Sequence, residues 1–207
     1  MSCSLVGSEM CIRDRFSASH IPNLNAKILE QNFKKTLKFN PHLICTPECS
    51  NIITNDKNFL LLNAPYQNTC PVLKMAKDFA KKNKVNINLG SLLLKVKKQR
   101  KLVNRSFFID NHGVIKKTYD KIHMFDVKIN NKEKHQESSL FKAGKKIIYA
   151  KINNIKLGLT ICYDLRFPNL YRQLAKRDCS IILVPAAFTR PTGKDHWEIL
   201  NRSRAIE

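Results

Sequence analysis

Acidic residues are scarce: 16 Asp and Glu stand against 37 Lys and Arg, a formal net charge of +21 over 207 residues. Glycine numbers only six and tryptophan one. With so few glycines there is no phosphate cradle, and neither a dinucleotide fingerprint nor a P-loop occurs. No apolar run approaches the roughly 18 residues of a membrane-spanning helix. The seven cysteines (3, 11, 45, 49, 70, 162, 179) are odd in number and form no CxxC pair. That argues against a zinc ribbon and a disulfide framework, and for a reducing, cytoplasmic setting. The histidines (20, 42, 112, 123, 135, 196) lack HxxxH spacing, so no metal is expected.

The positive charge admits two readings. Lysines fall in pairs along the whole chain (34–35, 81–82, 97–98, 116–117, 145–146), without interleaved aromatics. A solvated, lysine-rich surface fits this better than a nucleic-acid face, which needs a stacking platform.

A hydrophobic share of 43% suffices for one sizeable core. Residues 1–15 do not match the rest of the chain and are expected to be a non-native segment, leaving 16–207 as the domain. A helix is predicted from Asn23, ended by Asn40-Pro41, then a buried strand over Leu43–Thr46. Pro71 opens a helix with Val72, Met75, Ala76, Phe79 and Ala80 on one face. Strands are predicted over Asn86–Leu94, Leu102–Asp110 and Val114–Tyr119, the last two joined at Asn111-His112-Gly113. Residues 128–139 read as a long polar connection. Ile147–Ile152 and Ile155–Ile161 form a further hairpin through Asn153-Asn154, and Ser180–Val184 is the next strand. A last helix is predicted from near Asp195 and has no stop signal before Glu207, so the natural protein is expected to continue.

Three strand ends carry chemistry-bearing residues. Cys162 ends an apolar run just before Pro168 and a helical pattern in which Leu170, Tyr171, Leu174 and Ala175 share a face. A cysteine so placed is either a nucleophile, its thiolate favoured by the helix start, or a buried structural thiol. Glu48 follows Pro47 directly after a buried strand, and on its own reads more simply as a loop carboxylate. Tyr119-Asp120-Lys121-Ile122-His123 ends another strand.

Taken in order, Pro47-Glu48, Tyr119-Asp-Lys121-Ile-His and Ile161-Cys162-Tyr-Asp-Leu-Arg-Phe-Pro168 resemble the carbon–nitrogen hydrolase (nitrilase) superfamily over roughly residues 23–207. The flanks Ala187-Phe188-x-x-x-Thr192-Gly193-x-x-His196-Trp197-Glu198 and Arg202-x-Arg204-Ala-Ile-Glu207 are similar to its Nit-type amidase branch. The resemblance implies an α/β fold, a four-layer αββα sandwich here incomplete at both ends, and subunits that pair into a homodimer or larger oligomer. It implies a catalytic triad of Glu48, Lys121 and Cys162, with Glu137 as an auxiliary carboxylate. The backbone N–H of Tyr163 would be the second oxyanion donor. No cofactor is implied. The substrate would be a small linear amide, deaminated glutathione ahead of an α-keto acid ω-amide. Its carboxylate would call for a cation, for which Arg166, Arg190 and Lys194 are candidates. Arg166 reads more simply as half of an internal ion pair beneath the helix. Phe188 and Thr192 would line the pocket, though Phe188 equally reads as core. One departure stands out: Asn169 occupies the place of the family's usual glutamate, which puts a local salt bridge in doubt but not the triad.

Overall fold

The computed structural model describes residues 16–128 and 134–207. The opening segment 1–15 lies outside these, as does part of the polar run, residues 129–133. Helix α1 (Pro22–Thr36) starts on a proline, whose missing N–H costs nothing in a first turn, and buries Ala26, Leu29 and Phe33. After a short 3₁₀ turn, Asn40 in the left-handed region ends it and turns the chain into β1 (Leu43–Cys45). The next helix, α2 (Lys57–Asn63), was not expected from the sequence; Asp56 accepts the Phe59 N–H as its N-cap. Its seven residues are too few for a periodic pattern to declare itself. Then come α3 (Pro71–Asn83) and β2 (Asn86–Leu94), which pairs parallel with β1. Strands β3 (Val103–Ile109) and β4 (Ile115–Asp120) complete a four-stranded sheet in the order β1-β2-β3-β4. Gly113, at φ +77°, makes the predicted β3–β4 turn.

The polar run differs from its expectation. It contains a short hairpin of β5 (Asp126–Lys128) and β6 (Lys134–Gln136), then a 3₁₀ turn that presents Glu137. A second main sheet takes the expected course: β7 (Tyr149–Ile152), β8 (Ile155–Leu159) and β9 (Ile181–Leu183), in that order. Between β8 and β9 lie a 3₁₀ turn over Cys162–Arg166 and α4 (Pro168–Ala175). Helix α4 buries Leu170, Tyr171 and Leu174, while Ala175, expected on the same face, is exposed. The last helical stretch begins earlier than Asp195. It runs as α5 (Arg190–Thr192), a π-helical turn (Gly193–Trp197) and α6 (Glu198–Ile206). Pro191 near the first turn suits that earlier start.

Four layers result. Helices α1 and α3 cover the outer face of the four-stranded sheet, with Phe33, Phe79, Leu89 and Phe107 in one cluster. The two sheets face each other through Phe108 and Tyr119 on one side and Leu157, Leu159 and Ile161 on the other. The outer face of the second sheet packs on α4 through Tyr149, Ile182, Leu170 and Leu174. This is the expected αββα order. Each fully buried large apolar side chain contributes about 1.5–3 kcal/mol, so the sheet–sheet layer fixes how the strand ends meet.

Candidate active site

Each site residue sits where a strand gives way to a turn. Beyond β1, Pro47 and Glu48 bend across the middle of β2, where Gly90 leaves the space. A Cβ on Gly90 would fall on the Thr46 carbonyl oxygen and meet Pro185 at 2.5 Å and the Pro47 oxygen at 2.6 Å. The turn is pinned by the Cys49 N–H to Ser91 Oγ (2.9 Å) and by Ser50 Oγ to the Pro47 carbonyl (2.7 Å). Lys121 follows β4, its N–H bonded to the Asn104 carbonyl on β3 at 2.9 Å. Cys162 follows β8 in the left-handed region (φ 46°), a conformation that costs a non-glycine residue of order 1 kcal/mol. It is held there by its own N–H to the Pro185 carbonyl (2.8 Å) and by Asp164, whose carboxylate accepts the Ile161 N–H (2.9 Å).

The side chains converge. Lys121 Nζ lies 3.1 Å from Glu48 Oε1 and 2.9 Å from Glu137 Oε2, and is almost wholly buried. Glu48 Oε1 also accepts from Asn104 Nδ2 (3.0 Å), and its Oε2 accepts the Ala187 N–H (2.9 Å). Glu137 is anchored by the Phe125 N–H at 2.6 Å. Burial alone would pull the Lys121 ammonium down. Glu48, Glu137 and Cys162 outweigh it and hold the pKa well above the ordinary lysine value. The Cys162 thiol is pushed up, first by burial and then by the Glu48 charge, against the pull of Lys121. Burial and the Glu48 charge thus oppose the thiolate that a helix start would favour. The helix of α4 begins six residues later, at Pro168, too far to offset burial.

Glu48, Lys121, Glu137, Cys162 and Tyr163 share the wall of one cavity of about 330 Å³. Phe188 and Thr192 lie on it too, Phe188 with its ring edge against Trp197. Arg166, Arg190 and Lys194 do not line it. Arg166 reaches Tyr163 and His196 instead of a carboxylate, its NH2 3.0 Å from His196 Nδ1, and Arg190 is exposed.

Two supports went unassigned in the sequence. Asn104 touches Glu48 through its side chain and Lys121 through its backbone. It is followed in β3 by Arg105 and Ser106, so the sequence did not single it out. Asp164, fully buried, accepts from Tyr119 Oη (2.7 Å) and the His123 N–H (3.0 Å), so it ties the Cys162 turn to the strand end that carries Lys121. His123 in turn stacks on Phe167 at 3.6 Å. Asp164 and His123 both lie inside the strand-end motifs, but only their distance in sequence was visible there. Among the described residues, no cluster of three or more His, Cys, Asp or Glu is arranged to hold a metal, and no helix is long and apolar enough to cross a membrane.

Residues 23–207 match the carbon–nitrogen hydrolase family. The chain is 37% identical to a deaminated glutathione amidase of Yersinia enterocolitica over 185 residues, which is 88% of this chain and 64% of that protein. It is 36% identical to a deaminated glutathione amidase of Dictyostelium discoideum, covering 93% of this chain and 70% of that one. The chain thus spans roughly two thirds of the length of these relatives. Its fold is similar to the crystal structure of the Caenorhabditis elegans NitFhit protein (TM-score 0.83, 31% identity), over 92% of this chain and 46% of that one.

Proposed function

The chain belongs to the carbon–nitrogen hydrolase family, and from that premise we propose that it hydrolyses a small linear carboxamide to a carboxylic acid and ammonia through a thioester on Cys162. The observation that carries this is the buried Lys121 ammonium held between Glu48 and Glu137, with the half-buried Cys162 thiol on the same cavity wall.

The thiol is a poor nucleophile until it loses its proton. Glu48 takes that proton as sulfur attacks the amide carbon. The developing oxyanion meets Lys121 and the Tyr163 N–H, one such donor contributing about 3–4 kcal/mol in the transition state. The C–N bond breaks as Glu48 returns the proton to nitrogen, so ammonia leaves and the thioester stays. Glu48 then draws a proton from water, whose oxygen attacks the thioester. The C–S bond breaks, the acid departs and the thiol is restored. Glu137 is a positioning residue in this scheme, since it touches Lys121 and the Phe125 N–H.

Deaminated glutathione is the preferred substrate in this reading, supported by the relatives' names, with an α-keto acid ω-amide as the alternative. A homo-oligomer is part of the proposal, supported by α6, which buries none of its residues and exposes Ile199 and Ile206. So is a reducing, cytoplasmic setting, supported by the odd number and irregular spacing of the cysteines in the sequence. The test is ammonia release from deaminated glutathione and from α-ketoglutaramate, side by side. Activity on one of them that is lost in Cys162→Ala is expected. Activity that persists in Cys162→Ala would overturn the thioester route.

A further inference from the structure

We infer that Lys57 receives the carboxylate of the substrate, which makes the cavity selective for amides that carry an acid at the far end of a short chain. This rests on the amidase reading and assigns the cation which that reading needs. Among the described residues, Lys57 is the one lysine or arginine besides Lys121 on the wall of the catalytic cavity. Lys121 is already committed to two carboxylates and is buried. His135, also on the wall, lies against the Phe125 ring. Lys57 is exposed and forms no ion pair with any described residue.

Depth separates the two lysines. Glu48 and Lys121 are buried and so belong to the floor of the cavity, while the exposed Lys57 belongs to its mouth. Leu60, Leu93, Phe125 and Phe141 supply apolar wall. Such a wall suits methylene groups between an amide at the floor and an anion at the mouth. The segment that bears Lys57 is also fixed in place. Asn51 exchanges two hydrogen bonds with the backbone of Leu93, each 2.8 Å, and Ile53 N–H bonds the Ser19 carbonyl at 3.1 Å. Glu48 and Lys57 therefore stand on one braced stretch of chain, nine positions apart, with the reacting group at one end and the cation at the other.

The test compares glutaramate, which has a terminal carboxylate, with valeramide, its neutral counterpart of equal length. The unaltered protein is expected to favour glutaramate in kcat/KM. In Lys57→Met the ratio of the two kcat/KM values is expected to fall about tenfold or more, through KM for glutaramate, as suits loss of a hydrogen-bonded charge partner. In Lys57→Arg the ratio is retained. A binding arm needs no turnover: glutarate affinity in the Cys162→Ala background falls by the same factor when Lys57→Met is added. A ratio and an affinity both unmoved by Lys57→Met, with valeramide still hydrolysed, would overturn the assignment of Lys57 and leave the amidase reading standing. Ammonia release that survives Cys162→Ala would instead overturn that reading, and Lys57 with it.

Discussion

In the four-stranded sheet, β2 buries every residue but Asn86, and β3 every residue but Arg105. In the three-stranded sheet, all three residues of β9 are half-exposed, and α6 beyond it buries none. The site straddles these two regions. The closed one carries Glu48 and Lys121, and the open one carries Cys162. Charges have been placed where water is excluded, so each ion depends on its partners for solvation. The nucleophile is a half-buried thiol, whose neutral form needs no such partners. The two kinds of residue should therefore respond differently to removal.

The largest expected effect lies there. Lys121→Met leaves two carboxylates buried against each other, and breaking such a cluster costs about 3–5 kcal/mol. For a chain of this size that lowers the melting temperature by about 10 °C, alongside loss of activity. Cys162→Ala should abolish ammonia release, by a factor of about 10⁴ or more, while stability stays within about 1 kcal/mol of the parent. Thermal melts of the two variants check this. A Lys121→Met melt within about 2 °C of the parent would mean that the closed region is far wetter than its burial implies.

The next effect concerns the link that joins the regions. Asp164 sits on the Cys162 turn and grips Tyr119 and His123 from the other sheet. Asp164→Asn keeps the shape but removes the charge and swaps one acceptor for a donor. Hydrogen bonds to a charged group are worth about 1.5–3 kcal/mol, so a loss of about 2 kcal/mol is expected, with a lower kcat because Cys162 and Lys121 no longer share a frame. An unchanged kcat with lowered stability would reduce Asp164 to a fold-only role. A smaller effect, confined to the closed region, is expected for Asn104→Leu. It removes one donor to Glu48 with little change of volume, so kcat should fall about tenfold while KM holds.

The closed region was the more legible in sequence, and the reason is physical. Strand β2 was bounded correctly because Ile87, Leu89 and Leu92–Leu94 lie between the polar Lys84 and Lys95, and the β3–β4 turn declared itself through Asn111 and Gly113. Cys162, Glu48 and Lys121 could be located because strand ends are abrupt changes of polarity. Their meeting could not be derived from such local signals: Glu48 and Lys121 are 73 residues apart. The order of the motifs bridged that gap only by resemblance. The features that stayed hidden were short or long-range: α2 with seven residues, the β5–β6 hairpin with three-residue strands, and Asn104 and Asp164, whose partners lie across the sheets. The local pattern around Cys162 displayed a helix start, which favours a thiolate, but not the burial and the Glu48 charge that oppose it.

The smallest effect separates the regions by their thiols. Cys70 opens α3 inside the closed core, and burial pushes it up to about 11, against a weaker downward pull from the Leu73 and Val72 N–H groups. Cys49 and Cys162 are raised as well, by burial first and Glu48 second. An unfolded thiol titrates near about 8.5, so above that pH the unfolded chain sheds a proton that the folded chain keeps. Stability from Cys70 is thus fully present below about pH 8.5 and is lost as pH climbs toward 11, at about 1.4 kcal/mol per unit for that one group. Lys121, whose folded value is raised as well, adds a loss of its own only above about pH 10.4, where an unfolded lysine sheds the proton that the folded one keeps. Denaturant titrations at pH 8.5 and 10 should show Cys70→Ala losing about 2 kcal/mol less than the parent over that interval. An equal loss in both would mean that the Cys70 thiol titrates as it does in water, and that the core beneath α3 is not the closed region its burial describes.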